Sequence, residues 1–181
     1  MNRKFSTILA VLLIVALSTS TVGAAGAIKL SGGFNFGSLK FIGTMTGIGG
    51  YGEGVSVILE GSGTPVVTCT NKGKNPAPGQ NPSKINVSGI QFIGPVSIDE
   101  NGKASVDVRT QHPTLTGKQG GCPNNNWSAA IDFVFWETAD LYVYDGLAAN
   151  NVLLLEQHYT CVTTRNPDTL SCTLVSETSY H

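Results

Sequence analysis

Beyond residue 27 no stretch of this 181-residue chain carries a sustained helical period. Apolar residues instead recur at every second position in short runs, and Gly, Pro and Asn separate the runs. A two-residue period puts one face of an extended segment on a core and leaves the other to water, so the chain is restricted to paired strands. Ala104-Ser105-Val106-Asp107-Val108-Arg109 is the cleanest example. The alternation predicts Ala104, Val106 and Val108 inward, and Ser105, Asp107 and Arg109 outward.

The other runs follow the same logic. The Gly-rich segment 28–54 reads as one or two strands, with Phe34 alternating with Phe36 and Leu39 with Phe41. Val55–Leu59 and Pro65–Thr70 read as two separate strands, and Ile85–Phe92 as a third. Pro95–Ile98 and Ala104–Arg109 read as a hairpin, because Asn101-Gly102 tolerates the positive φ angles of a type I′ turn. Ala129–Trp136 is a strong strand with Ile131, Phe133 and Phe135 on one face and Trp136 on the other, alongside Asp132. Leu141–Tyr144 follows after a short turn as a further strand, and Val152–Thr163 with Leu170–Ser176 closes the chain as a hairpin. Segments 71–84 and 110–127 are too rich in Pro, Gly, Asn and Gln for regular structure and read as polar surface loops.

The first residues order themselves as a secretory leader. Arg3 and Lys4 precede the apolar run Ile8–Leu17, and the small residues Ala24, Ala25 and Ala27 follow as cleavage points. Ten apolar residues are short of the roughly 18 a spanning helix requires, so no stable membrane insertion is expected after cleavage. The division is therefore 1–27 signal peptide and 28–181 a single domain, a length that can enclose one core. Without Arg3 and Lys4 the chain has 9 basic and 12 acidic residues. No Lys/Arg cluster is present, which argues against nucleic acid.

Four cysteines follow the leader: Cys69, Cys122, Cys161 and Cys172. In an exported chain an even count reads as disulfides. Cys161 and Cys172 are equidistant from the Asn166–Pro167 turn, so the last hairpin sets them opposite each other, within bridging distance. Cys69 and Cys122 are left to pair. No C-x-x-C spacing suggests a zinc or redox site, and no metal or cofactor is expected. The fold expected is all-β, an antiparallel β-sandwich (immunoglobulin-like in the broad sense) held by two disulfides.

Cys69-Thr70-Asn71 with Pro78-Gly79-Gln80-Asn81-Pro82, then Asn101-Gly102, and Cys122-Pro123-Asn124 with Trp127, resemble a family of small, secreted, functionally uncharacterised proteins over roughly residues 55–163. The resemblance implies a secreted β-rich fold and a bridge between the two loop cysteines. It implies no activity.

Reactive constellations are sparse. The three histidines, His112, His158 and His181, carry no nucleophile-elbow motif with them. Asp132, Glu137, Asp140 and Asp145 cluster in sequence, but the odd spacing of Asp132 and Glu137 sets them on opposite strand faces. Asp99-Glu100-Asn101-Gly102 has oxygen ligands without calcium-loop spacing. The aromatics stand out: Trp127, Trp136, Tyr142 and Tyr144 are candidate ligand-contact residues, on the view that exposed rings beside polar loops stack sugars or anchor a partner. Asn86 and Asn126 lie in glycosylation sequons. The expectation is a secreted, extracellular, non-enzymatic structural or interaction module with a protein or glycan partner. The alternatives are a carbohydrate-binding module using those aromatics and a secreted hydrolase. Self-association through an uncovered edge strand is also expected, with the Gly-rich N-terminal segment as a candidate edge.

Overall fold

In the computed structural model, residues 27–35, 37–147 and 152–180 are described. The expected leader up to residue 26, and Phe36, lie outside them. The strands are β1 (Lys29–Asn35), β2 (Lys40–Thr46), β3 (Val55–Thr70), β4 (Pro76–Pro78), β5 (Ile85–Ile93), β6 (Ala104–Arg109), β7 (Ser128–Asp145), β8 (Leu153–Thr164) and β9 (Thr169–Ser179). They form two antiparallel sheets: three strands in the order β1-β2-β6, and six in which β3, β7, β8 and β9 are neighbours in turn, with β4 and β5 both paired to β3. Among the described residues no helix is long and apolar enough to cross a membrane.

The sheets enclose a core by their alternating faces. Leu30, Phe41, Met45, Val106 and Val108 of the smaller sheet are buried, as are Val55, Val57, Leu59, Leu141, Val143 and Leu155 of the larger. Ala104, Val106 and Val108 point inward and Ser105, Asp107 and Arg109 are exposed, as the alternation requires. Side chains and single backbone bonds link the sheets at their margins. The Asp107 amide donates to Gln91 Oε1 and the Gln111 amide to the Ser88 carbonyl. On the opposite margin buried Gln157 donates from Nε2 to the Leu30 carbonyl.

Besides the merging of Ala129–Trp136 and Leu141–Tyr144, with no turn between them, into the single 18-residue β7, three local expectations are corrected. Val55–Leu59 and Pro65–Thr70 are one 16-residue strand. Gly61 and Gly63 do not break it because β7 runs beside it throughout, and a Cβ at Gly63 would meet the Phe135 carbonyl at 2.6 Å. Pro65 falls between the end of β5 pairing at Gly63 and the start of β4 pairing at Thr68, where β3 has a partner on one side only. Segment 71–84 is not wholly irregular, since β4 pairs with Thr68–Thr70.

The third correction concerns Pro95–Ile98. Pro95–Ser97 is a single 3-10 turn, and β6 pairs with β2 instead. Proline offers no N–H to a ladder, whereas β2 presents the apolar face that β6 needs. Gly102 takes φ +69° but Asn101 does not enter the positive region, so the turn is not type I′. Asp99 organises it, with Oδ1 accepting from the amides of Asn101 and Lys103 at 2.9 and 2.8 Å. That carboxylate oxygen closes the turn.

Both expected disulfides form, Cys69–Cys122 and Cys161–Cys172, and the latter pair is in direct register between β8 and β9. The first bridge ties the 110–127 loop, through Cys122, to Cys69 near the end of β3, beside β4. Beside it the Gln80 amide donates to the Gly121 carbonyl at 2.9 Å, and the Ser83 amide to the Gln119 carbonyl at 2.8 Å. Gly121 (φ +70°) must be glycine, because a Cβ there would sit 1.9 Å from the Gln80 carbonyl oxygen.

Candidate functional site

The aromatic candidates part company along β7. Two register shifts leave Asp132 and Glu137 as extra residues opposite β3. Phe133 and Phe135 do share a face, with ring centroids 4.9 Å apart. The face that joins the main core, however, is the one bearing Val134 and Trp136, while Phe133 is buried outside that cluster. Trp136 is 1% exposed and its indole N–H donates to the Gly37 carbonyl, so it is corrected from a ligand contact to a core residue. Trp127 is half-buried in the loop before β7. Fifteen residues separate it from Tyr142, which puts the two on the order of 40 Å apart along the twisted strand. Trp127 and Tyr142 therefore cannot belong to one platform.

Tyr142 and Tyr144 do belong to a common surface, and the sheet register assembles it. Ile58 is paired with Tyr142 on one side and Ile90 on the other. Ser56 is paired likewise with Tyr144 and Phe92. Paired residues share a face, and this one is the outer face, since Val57, Leu59, Leu141 and Val143 point the other way into the core. Ile90 is 60% exposed and Phe92 45%. Ile58, Ile90, Phe92, Tyr142 and Tyr144 thus form a contiguous apolar and aromatic patch.

Charge borders the patch one row along. Glu60 is paired with Ser88 and Asp140, and Asp140 with His158. Glu60, Asp140, Ser88 and Asn86 line a shallow depression of about 300 Å³. His158 lies between two carboxylates: Nδ1 is 2.6 Å from Asp140 Oδ1 and Nε2 is 2.8 Å from Glu156 Oε1. The second Glu156 oxygen accepts from the Tyr180 hydroxyl at 2.8 Å. The Tyr142 ring meets the His158 ring edge-on at 6.2 Å. Burial, with Asp140, Glu60 and Glu156 adding to it, pushes the Tyr142 hydroxyl up to about 12, so this ring stays neutral across the physiological range.

An imidazole can donate to two carboxylates only as the imidazolium. The hydrogen bond to Asp140, and then the charges of Asp140 and Glu156, raise the His158 pKa above its usual range against the opposing effect of burial. Its contribution to stability is therefore present in full below the unfolded-state value, and is lost as pH rises through the folded-state value. In an NMR titration the His158 ring is expected to titrate above the ordinary histidine range, and Asp140→Asn to bring it back down. A midpoint within that range in the parent protein would refute the bridged arrangement.

With both ring nitrogens engaged, His158 has no free nitrogen to serve a nucleophile as base. His112 lines a separate depression of about 240 Å³ with Ser38, Asp132 and Asp168, and no hydrogen bond joins it to them. Asp132 instead accepts from the Thr68 hydroxyl at 2.6 Å. Glu137 accepts from Thr64 and Lys84, and the Lys84 bond leads in holding its pKa below the usual carboxylate range. Each is tied to its own partner rather than to the other. Among the described residues no group of three or more His, Cys, Asp or Glu is placed to hold a metal. The sequon residues Asn86 and Asn126 are both exposed, and His181 lies outside the described residues.

Sequence reading missed Ile58, Ile90, Phe92, Glu60 and Glu156. One signal was available, since Ile90-Gln91-Phe92-Ile93 puts apolar residues on both faces of a strand. Comparison of the chain with protein-family models, with curated proteins and with solved structures found no match in any of the three.

Proposed function

We propose that this chain is a secreted, non-catalytic interaction module that binds its partner on the outer face of the six-stranded sheet. The observation that carries this reading is the register-built patch of Ile58, Ile90, Phe92, Tyr142 and Tyr144, with Ile90 and Phe92 well exposed. Contiguous exposed apolar surface with a polar border is the ordinary form of a recognition site. Glu60, Asp140 and Glu156 give the border a negative character, which His158 offsets in part. The complementary partner is a protein surface with apolar side chains flanked by Lys or Arg. The leader-like N-terminus and the two disulfides support an oxidising, extracellular setting.

Oxidative footprinting tests the reading, comparing the protein in the medium or on the surface of the cells that secrete it with the purified protein. Phe92, Tyr142 and Tyr144 are expected to be protected in the native setting and reactive after purification. Equal reactivity in both settings would sink the proposal. A second reading, glycan binding, is favoured by one feature: two neighbouring tyrosines flanked by carboxylates that accept sugar hydroxyls. A glycan array whose signal vanishes with Tyr142→Ala would select it over the protein partner.

A further inference from the structure

A second feature of the large sheet is the open edge of its last strand. β9 pairs with β8 on one side, and among the described residues its other edge has no ladder partner. Near its C-terminal end β9 approaches β1, where Gln157 donates to both the Leu30 carbonyl and the Glu177 carboxylate. A register shift then sets Val175 outside the pairing. The accessible stretch is Thr169–Leu174, a run with no charged residue and no proline. Edge strands of soluble proteins are normally blunted by such residues, by a bulge or by a cover, and this stretch is not. Leu174 is 45% exposed and Val175 66%, so apolar area accompanies the open backbone groups.

We infer that Thr169–Leu174 is a self-pairing edge, and that two copies of the chain join antiparallel along it to continue one six-stranded sheet into the other. Its self-complementarity makes a second copy the fitting occupant. Residues facing each other across a two-fold antiparallel pair must point to the same side of the joined sheet. Leu170, Cys172 and Leu174 share the inner side, opposite Thr163, Cys161 and Tyr159 of β8. Centring the axis on Cys172 therefore sets Leu170 against Leu174 of the second copy, twice over. No like charges meet anywhere in the stretch. The interface is small, under the roughly 1,200 Å² of a standard complex, so the dimer is reversible. The edge is separate from the binding face, which lies on β5, β3 and β7.

Sedimentation equilibrium of the disulfide-bonded chain, from low micromolar to millimolar concentration, is the test. The expected result is a concentration-dependent dimer. Leu174→Lys sets a charge against Leu170 of the second copy and is expected to raise the dissociation constant at least about tenfold. Adding Leu170→Glu to it sets opposite charges across the interface and is expected to restore pairing. A parent protein that stays monomeric throughout, or a dimer indifferent to Leu174→Lys, overturns the inference. A double variant that stays monomeric overturns the Cys172-centred register. Should the variants lose their strand circular dichroism, amide exchange on the parent protein decides between pairing and its absence. Slower exchange across Thr169–Leu174 at high concentration upholds the pairing, and concentration-independent exchange refutes it.

Discussion

Trp136→Ala is expected to destabilise the protein by about 3–5 kcal/mol, a large part of the roughly 5–15 kcal/mol that holds a typical domain folded. The side chain is the bulkiest of those fully buried. The space around it is tightly filled: a Cβ added to Gly61 would sit 3.6 Å from the indole and 2.2 Å from the Leu39 side chain. Truncation also leaves the Gly37 carbonyl without the indole donor it now has at 3.3 Å. Denaturant unfolding of Trp136→Ala beside Trp127→Ala makes the comparison sharp. Half-buried in a loop, Trp127 is expected to cost no more than about 1 kcal/mol. Equal losses at the two sites would mean that the β7 faces are assigned wrongly.

Removing the Cys69–Cys122 bridge by paired alanine substitution is expected to cost about 4 kcal/mol, against about 3 for Cys161–Cys172. The difference follows from loop length. The first bridge closes 53 residues of chain and the second 11, and a longer loop restrains more of the unfolded ensemble. The structural consequence differs as well. Cys161 and Cys172 lie inside a hairpin that ladder bonds hold on both sides of them. The Cys69–Cys122 bridge instead anchors the 110–127 loop to the end of β3, beside which that loop meets segment 71–84 through the bonds from Gln80 to Gly121 and Ser83 to Gln119. Loss of the longer-range bridge should therefore speed amide exchange at Gln80 and Ser83 while leaving β8 and β9 protected. A loss below about 1 kcal/mol, with those amides still slow, would show that the loop stays docked without its covalent link.

How far the chain could be read follows from where its information is local. Alternation in Ala104–Arg109 settles which side chains point inward, because the pleat has a fixed two-residue period. It does not settle the partner strand, and β6 chose β2 over the adjacent Pro95–Ile98 segment. Likewise the alternation in Ala129–Trp136 separated Trp136 from Phe133 and Phe135, but could not say which face was the core. The extra residues at Asp132 and Glu137 are defined only against β3, and no feature of β7 alone announces them. The exposed apolar patch is the extreme case. Ile58, Ile90 and Tyr142 come from three strands and are adjacent only because two registers happen to coincide.

By itself, then, the sequence determined the class of fold and its covalent frame: extended segments from a two-residue period, and a Cys161–Cys172 bridge from symmetry about one turn. Those are properties of neighbours along the chain, where geometry is dictated by bond lengths and the pleat. Which strands adjoin, which face of β7 is dry, and where the exposed patch and the open β9 edge fall were decided only in the tertiary structure. Pairing between distant strands is settled by the burial of whole faces at once, and no single segment contains that sum.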